Sequence, residues 1–339
     1  MKSSIRLSLF AFLTLFMAAT LFAKEPAAKK KQLGIATYSV KGLESDIEGA
    51  FKALEEDGYT VMEISNYNAR ERTVEGYSPA EYADLAEKYG MDIISSHARA
   101  QFDINDEAGS LEAWGIVFDD HKAMGCKYVV FPMNRWSGEA EEMKKGCDLM
   151  NKIGAEANKR GIQFGYHNHN MEFEKMQNSD QLIEDFLIAN TDPDKVFFQM
   201  DVYWVTQGGQ DPVDYLKKYP KRFKVLHIKD DYVIGESGNI DYEAIFKQFY
   251  KNGYKDWFVE IEEYMTPEQR EQMRQRFEEM RQRQREAGQN GGQAGQQGQN
   301  RPPMRPPQRS PEEQAKRLQT SLDAIAKSAE YLKNAKFVK

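Results

Sequence analysis

Cysteine and histidine are scarce in this sequence, with 2 cysteines and 5 histidines among 339 residues. Two cysteines, Cys126 and Cys147, cannot build the disulfide framework of a small secreted domain, so we expect two buried thiols. Hydrophobic residues make up 40% of the chain, which is enough for the core of one large α/β domain or two smaller ones. Because histidine is so rare, the position of each one carries information about function.

Long apolar runs are also lacking, except at the N-terminus. There, Lys2 and Arg6 precede an apolar run from Leu7 to Phe22, which is followed by Ala23. This order predicts a secretory signal peptide over residues 1–23 and a linker over residues 24–32, and therefore export, with a periplasmic location. The alternative is a retained membrane anchor, since the run approaches the length that spans a bilayer.

Basic charge is concentrated in one part of a chain whose net charge is −7. The range Thr266–Pro311 contains nine arginines and five glutamates. The body of the protein is therefore more acidic than the whole chain, which argues against a nucleic-acid partner. We expect a small-molecule partner and no membrane contact after cleavage of the signal peptide, and the sequence leaves the oligomeric state open.

Short β-branched or aromatic runs alternate eight times with longer polar stretches of helical periodicity. The runs begin near residues 33, 60, 91, 127, 162, 196, 223 and 257, a spacing of about thirty residues that matches one βα unit. Eight such units predict a single α/β domain, a (β/α)8 TIM barrel over residues 33–265. Within it, the segment "SPAEYADLAEKYG" places Ser78 and Glu81 as a capping box at the start of a helix.

Residues 266–311 interrupt this alternation with a stretch rich in Gln, Arg, Gly and Pro. We interpret it as a low-complexity, mostly disordered insertion in the last βα loop, before the final barrel helix and tail over residues 312–339. A solvated spacer is the favoured interpretation, and binding of a polymer or partner is the alternative. Since βα loops lie on the catalytic face of a barrel, the insertion is expected beside any active site.

Polar residues are expected to converge at the C-terminal ends of the strands, where catalytic groups of such barrels lie. Alternate residues of a strand point into the barrel, and by this parity the second and third strands contribute Glu63 and His97. Buried carboxylates that converge would repel each other, whereas a divalent metal compensates their charge and accepts nitrogen lone pairs. Two nitrogen and two oxygen ligands suit Mn²⁺, Co²⁺, Fe²⁺ or Zn²⁺. The fifth to eighth strands supply such a set by the same parity, namely His167, Asp201, His227 and Glu260.

Four segments, "QMDVYW", "VLHIKD", "GESGNIDYEAIFKQFYKNGY" and "WFVEIE", resemble the signatures of strands six to eight in the xylose-isomerase-like (β/α)8 superfamily of sugar phosphate isomerases and epimerases. The resemblance covers Leu33 to about Glu263 and the final helix. It implies that the metal ligands of strands six, seven and eight are Asp201, His227 and Glu260.

Two departures from the family pattern disfavour a simple epimerase. His167 stands where ketose epimerases have one of two acid–base glutamates, and Trp204 stands where several relatives have a substrate-binding histidine. The segment "YHNH", followed by "EF", instead resembles a secreted bacterial branch that includes hydratases and lyases acting on 3-keto sugars.

The resulting hypothesis is a divalent-metal-dependent enzyme of the sugar isomerase and epimerase type. It would transfer a proton next to a metal-bound carbonyl of a keto sugar by enediolate chemistry, with a 3-keto-glycoside hydratase or lyase outcome as a variant. The alternatives are a non-catalytic, metal-containing sugar-binding barrel and, less favoured, an endonuclease IV-like nuclease. The expected residues are Glu260, Glu172, His169 and Glu63 for catalysis, His97, Lys229, Trp204 and Trp136 for substrate binding, and His167, Asp201, His227 and Glu260 for the metal. For either tryptophan, a plain core role is the alternative.

Overall fold

Eight parallel strands close into a barrel, which confirms the predicted fold class. The computed structural model describes residues 31–266, residues 309–339 and seven positions between them, 268, 269, 271, 272, 275, 276 and 279. Each strand pairs with its neighbour in the chain, and the last strand closes the barrel against the first. The strands are β1 (Leu33–Ala36), β2 (Tyr59–Ile64), β3 (Asp92–His97), β4 (Tyr128–Phe131), β5 (Gln163–His167), β6 (Val196–Asp201), β7 (Phe223–Ile228) and β8 (Asp256–Val259).

The helices lie between the strands and after the last one. Three short 3-10 helices, Thr37–Ser39, Leu43–Ser45 and Asn170–Phe173, follow β1 and β5. The α-helices are α1 (Ile47–Glu56), α2 (Pro79–Lys88), α3 (Glu107–Ala123), α4 (Ala140–Lys159), α5 (Ile183–Asn190), α6 (Val202–Gln207), α7 (Pro212–Lys218), α8 (Tyr242–Lys251) and α9 (Pro311–Asn334).

The core has two layers because alternate strand residues face opposite sides. Leu226 and Ile228 of β7 belong to the larger cluster, which packs between the strands and the helices. A Cβ atom at Gly165 would lie 2.5 Å from Cζ of Phe197, so the glycine makes room for this ring inside the barrel. The smaller cluster fills the interior and contains Ala36, Val61, Tyr128, Val130, Phe197, Val225 and Phe258.

The predicted capping box at the start of α2 is present. The Ser78 side chain accepts a hydrogen bond from the Glu81 backbone N–H, and the Glu81 carboxylate accepts one from the Ser78 backbone N–H. The same arrangement begins α9, with Ser310 and Glu313 in the two roles. These caps satisfy N–H groups that the first turn of a helix leaves without partners.

The loop between β2 and α2 folds into a small hairpin, with strands Tyr67–Asn68 and Thr73–Val74. Arg72 of this hairpin donates to both oxygens of Asp120 in α3, at 3.0 and 2.6 Å. The next residue, His121, is buried, with Nδ1 2.6 Å from the Val117 carbonyl oxygen and Nε2 2.8 Å from the Ser96 hydroxyl. Its environment is that of a structural histidine.

Cys126 and Cys147 are buried free thiols, as expected from the sequence. Among the residues with described positions, no helix has both the length and the apolar composition needed to cross a bilayer. The predicted signal peptide, nearly all of the linker and most of the predicted insertion lie outside the described residues, so these assignments stay predictions.

Candidate metal centre

Four polar side chains from consecutive strands converge at the C-terminal end of the barrel. They are buried, and we call them the strand-end cluster: His167 of β5, Asp201 of β6, His227 of β7 and Glu260, which directly follows β8. Each is the last inward-facing residue of its strand or follows directly after the strand. Inward-facing residues at the ends of neighbouring parallel strands meet inside the barrel, as the alternation of the sequence predicts.

Asp201 has one oxygen in use and one without a partner. Its Oδ1 atom accepts the backbone N–H groups of Tyr203 and Trp204, at 2.9 and 3.0 Å, and so caps α6. Its Oδ2 atom is buried, lies 3.9 Å from Nε2 of His167 and has no hydrogen-bond partner among the described residues. The cap fixes the carboxylate so that Oδ2 remains available to a ligand.

His227 and Glu260 form the closest contact in the strand-end cluster. Nδ1 of His227 lies 2.8 Å from Oε2 of Glu260, yet this nitrogen makes no hydrogen bond of acceptable geometry to any described residue. At this distance, either a proton on His227 or a cation bound by both atoms must balance the charge of the carboxylate. One donor atom from each of Asp201, His227 and Glu260 lies within 4.8 Å of the others. The donor set therefore fits a divalent metal with mixed nitrogen and oxygen ligands.

The charges around the cluster separate the pKa values of its members. Burial raises the pKa of Asp201 to about 7, against the lowering effect of Lys229. Burial also disfavours the charged form of Glu260, but Lys229 and His227 hold the pKa of Glu260 well below its usual range. Burial alone would lower the pKa of His227, whereas the carboxylates of Glu63 and Glu260 raise it to about 10. Without a metal, protons and the lysine compensate the buried carboxylates.

Lys229 places its ammonium group beside these carboxylates. Its Nζ atom donates to Glu260 Oε1 at 2.7 Å and to Glu262 Oε1 at 2.5 Å, and it lies 4.0 Å from Asp201 Oδ2. The same atom lies 4.9 Å from the centre of the Trp204 ring. The predicted substrate-binding residues Lys229 and Trp204 are therefore neighbours at the edge of the strand-end cluster.

Glu63 and His97, from β2 and β3, lie directly against the cluster. Oε1 of Glu63 is 2.6 Å from Nε2 of His227 and 3.2 Å from Nε2 of His97. The His97 and His227 rings are stacked with their centres 4.9 Å apart. Ring nitrogens of His97, His167 and His227 also come within 4.8 Å of one another. Four of the five histidines in the chain thus lie in or beside this site, if His169 is included.

His169 is half-buried and its ring centre lies 4.9 Å from that of His167 and 5.9 Å from that of Trp204. Its Nδ1 atom is buried and lacks a hydrogen-bond partner within the described part of the chain. Burial lowers the pKa of His169 to about 4. The imidazole is therefore neutral at neutral pH and is suited to hydrogen bonding with a hydroxyl group.

The placement of Glu172 does not support the predicted role as a base. Its two carboxylate oxygens accept hydrogen bonds from the Tyr166 hydroxyl, at 2.6 Å, and from the His169 backbone N–H, at 2.8 Å. Tyr166 points to the helix side of β5, away from the barrel interior, and burial raises the pKa of Glu172 to about 7. These contacts fit a residue that holds the 3-10 turn after β5 in place, and the role of Glu172 as a base stays a prediction.

Trp136 also has a structural environment. Its indole N–H donates to the Tyr166 hydroxyl at 2.9 Å, and its ring covers Gly146 of α4, where an added Cβ would lie 2.7 Å from Cζ3. The core role that the sequence left as the alternative fits these contacts better than stacking on a sugar.

Three polar residues near the site were missing from the predicted set. Gln199 lies two residues before Asp201 in β6 and faces inward like it. Glu262 lies two residues after Glu260. Neither residue type marks a site by itself. The Tyr38 hydroxyl donates to Glu262 Oε2 at 2.9 Å. Tyr38 lies in a 3-10 helix, where strand parity gives no signal.

Comparisons with known proteins agree with the barrel fold. A family model described as a xylose isomerase-like TIM barrel matches residues 51–283. A sugar phosphate isomerase/epimerase from Parabacteroides distasonis has a similar structure, with a TM-score of 0.71 and 31% identity, over 91% of this chain and 100% of that one. The IolI protein with a bound zinc atom shares the fold at a TM-score of 0.52 and 18% identity, over 68% of this chain and 88% of that one.

Inosose dehydratase from Clostridium beijerinckii is 29% identical over 142 residues, which are 35% of this chain and 46% of that enzyme. The chain thus matches less than half the length of this dehydratase.

Proposed function

This chain belongs to the xylose isomerase-like TIM barrel family, and from that premise we propose that it is a divalent-metal-dependent carbohydrate enzyme. The proposed reaction transfers a proton at the carbon next to the carbonyl group of a keto sugar. The observation that carries the proposal is the convergence of buried donor atoms at the mouth of the barrel. Asp201 Oδ2, which has no hydrogen-bond partner among the described residues, lies 3.9 Å from His167 Nε2, and His227 Nδ1 lies 2.8 Å from Glu260 Oε2.

His167, Asp201, His227 and Glu260 would hold the metal. A bound divalent ion would supply Lewis-acid stabilisation of negative charge on an oxygen next to the reacting carbon. Mn²⁺, Co²⁺, Zn²⁺ and Fe²⁺ all accept this mixture of ligands, and the IolI protein with its bound zinc is a relative in fold.

The residues around the cluster can move the proton and bind the sugar. The Glu260 carboxylate is the proposed base, because it follows β8 at the mouth of the barrel, beside the proposed metal ligands Asp201 and His227. The ammonium group of Lys229 would stabilise negative charge that develops on a sugar oxygen. The unpartnered Nδ1 atom of His169 would bind a hydroxyl group, and Trp204 lies next to both side chains.

The outcome that we favour is elimination rather than simple epimerisation: the base takes the proton, and a hydroxyl or alkoxy group leaves the adjacent carbon with a proton, as water or an alcohol. Epimerisation needs a second acid–base group that returns the proton to the opposite face of the carbon, and β5 supplies His167 there in place of a carboxylate. The partial match to an inosose dehydratase and the fold-wide likeness to a sugar phosphate isomerase/epimerase support enediolate chemistry, which both outcomes share.

Proton exchange in D₂O tests the proposal directly. Protein loaded with Zn²⁺, Mn²⁺ or Co²⁺ is incubated with common ketoses, inososes, 3-keto-glucosides and their glucal derivatives, and deuterium incorporation and product formation are followed by NMR. We expect exchange with at least one of these classes, its loss after chelation, and a fall of more than about 100-fold in His227→Ala and Glu260→Gln.

The matched control is Glu263→Gln. Glu263 lies on the same loop as Glu260, but its carboxylate is exposed and binds Arg317 at 2.7 Å. This variant should keep its activity. Full exchange after chelation and in both site variants would contradict the proposal. Metal binding without exchange on any of these sugars would favour the non-catalytic sugar-binding barrel.

A further inference from the structure

Three buried polar side chains lie against the strand-end cluster, and we call them the inner polar cluster: Glu63, Ser95 and Gln199. All three are completely buried. The Ser95 hydroxyl and the Gln199 side-chain amide each donate to Oε2 of Glu63, both at 2.7 Å. The inner polar cluster is therefore a connected hydrogen-bond network inside the barrel, and it has direct contacts with the histidines above it.

The hydrogen bonds fix the orientation of the Gln199 amide. Its NH₂ group donates to the Glu63 carboxylate, so its Oε1 atom faces Nε2 of His97 at 2.6 Å and Nδ1 of His167 at 2.9 Å. The reversed amide would place an oxygen against the Glu63 carboxylate, which has no proton to donate when ionised. Oε1 can only accept, so the proton of a neutral His167 is on Nδ1.

This arrangement leaves Nε2 of His167 without a proton. Nε2 is the nitrogen that faces the unpartnered Oδ2 atom of Asp201, at 3.9 Å. A metal can be bound only by a ring nitrogen with a free lone pair. The bond from His167 to Gln199 therefore presents the correct nitrogen to the strand-end cluster.

Glu63 acts in the same way on His227. Its Oε1 atom lies 2.6 Å from Nε2 of His227, so this nitrogen carries a proton that it donates to the carboxylate. The other nitrogen, Nδ1, faces Glu260 and Asp201, which supply the remaining oxygen donors. Both oxygens of Glu63 are engaged in the interior, by His227, Ser95 and Gln199.

We propose that Gln199 and Glu63 are positioning residues that hold a proton on Nδ1 of His167 and on Nε2 of His227, so that His167 binds a metal through Nε2 and His227 through Nδ1. The inference rests on the proposed metal-dependent function and adds to it the residues that prepare the site. It also gives Glu63 a role other than the catalytic one predicted from the sequence. Partners of this kind fix ring orientation and raise metal affinity in other metal sites.

Long-range ¹H–¹⁵N NMR of protein labelled at its histidines reads each tautomer directly. In metal-free protein at neutral pH, we expect His167 to carry its proton on Nδ1. After zinc is added, we expect the metal-induced shifts on Nε2 of His167 and Nδ1 of His227, with a proton retained on Nε2 of His227. Assignment is made with single His→Gln variants of each histidine.

Two variants separate positioning from general packing. Gln199→Met keeps the approximate size of the side chain but removes the acceptor, so we expect a mixture of His167 tautomers and a 10- to 100-fold weaker zinc affinity by competition with a chelating dye. Ser95→Ala removes a hydrogen bond to the same oxygen of Glu63 but touches neither His167 nor His227. It should therefore leave both tautomers unchanged. Far-UV circular dichroism verifies the fold of each variant.

Different results would overturn the positioning role of Gln199 and the proposed metal-dependent function. A proton on Nε2 of His167 in the metal-free wild type would overturn the positioning role, and so would an unchanged tautomer and zinc affinity in folded Gln199→Met. If wild-type protein failed to bind zinc, the proposed metal-dependent function would fail, while the His167 tautomer in the metal-free protein would still decide the role of Gln199.

Discussion

At the scale of single residues, Glu184 in α5 is a buried acid outside the candidate site. It is fully buried, and within the described residues neither of its carboxylate oxygens has a hydrogen-bond partner. Burial, with smaller contributions from Glu172 and Asp185, raises the pKa of Glu184 well above its ordinary value of 4.5. The folded protein therefore binds this proton more tightly than the unfolded chain does.

Glu184 makes the stability of the protein depend on pH. Its contribution is greatest below pH 4.5 and declines as the pH rises toward the raised pKa, because the unfolded chain ionises first. Glu184→Gln removes this ionisation, so its free energy of unfolding should decline less from about pH 5 to about pH 8 than that of the wild type. Urea denaturation at several pH values measures the slope of the free energy of unfolding against pH for the wild type and for the variant. Equal slopes would contradict the prediction, since Glu172 titrates in both proteins.

The residue scale also shows how far the sequence could predict the site. Parity predicts His167, Asp201 and His227 because a strand has a fixed period of two. Parity does not reach Glu172, because the chain leaves the strand and enters a 3-10 turn before it reaches this residue. Gln199 has the correct parity, but an amide signals a site only when its hydrogen-bond partners are known.

At the scale of secondary-structure elements, the starts of the helices were predictable because the interactions are local. Ser78 and Glu81 exchange their hydrogen bonds within a single turn. By contrast, the hairpin Tyr67–Asn68 and Thr73–Val74 depends on bonds from Tyr67 and Arg72 to Asp120, about fifty residues away in the sequence. Contacts of this range leave no periodic pattern in the sequence, so the hairpin was not predicted.

The capping box of α2 gives a prediction for stability. Ser78→Ala should lower the free energy of unfolding by about 1 kcal/mol, since the Glu81 N–H loses its acceptor. The double variant Ser78→Ala/Glu81→Ala should lose less than the sum of the two single variants, because the two residues act as one unit. Urea denaturation of the wild type, the two single variants and the double variant completes the double-mutant cycle. Strictly additive losses of free energy of unfolding would count against a shared cap.

At the scale of the whole molecule, the proposed metal binding would be linked to folding, because the four proposed ligands lie in or directly after four different strands. The unfolded chain cannot hold these side chains together, so a metal that binds the folded state stabilises it. This link makes the melting temperature a measure of the proposed site that requires no knowledge of the substrate.

We expect zinc to raise the melting temperature by several degrees. Free zinc at about 100 times its Kd stabilises the folded state by about 2.7 kcal/mol, and a chelator should reverse the shift. Asp201→Asn should abolish it, since the amide keeps an oxygen that can cap α6 but lacks the negative charge. Differential scanning calorimetry of both proteins, with and without zinc, measures the shifts. An equal zinc shift in Asp201→Asn would show that zinc binds elsewhere.

The two described ends that flank residues 267–308 lie close together. Glu263, after β8, accepts hydrogen bonds from Arg317 of α9 at 2.7 and 3.0 Å, and Arg309 comes within 3.9 Å of it. Replacement of residues 267–308 by a short Gly-Ser linker should therefore preserve the fold and the zinc-induced shift in melting temperature. Differential scanning calorimetry of the shortened protein, with and without zinc, measures this shift. A loss of the zinc-induced shift would contradict the interpretation of the segment as a spacer.

A second pair of distant positions also meets in space. The Lys31 ammonium donates to the Lys333 carbonyl oxygen at 2.8 Å, so the chain two residues before β1 lies beside the end of α9. A linker from Lys339 to Lys31, combined with an opening between residues 267 and 308, would give a circular permutant with the same strand order in the barrel. Both new termini would emerge near the mouth, where a fused protein or a surface attachment could be placed beside the proposed substrate site.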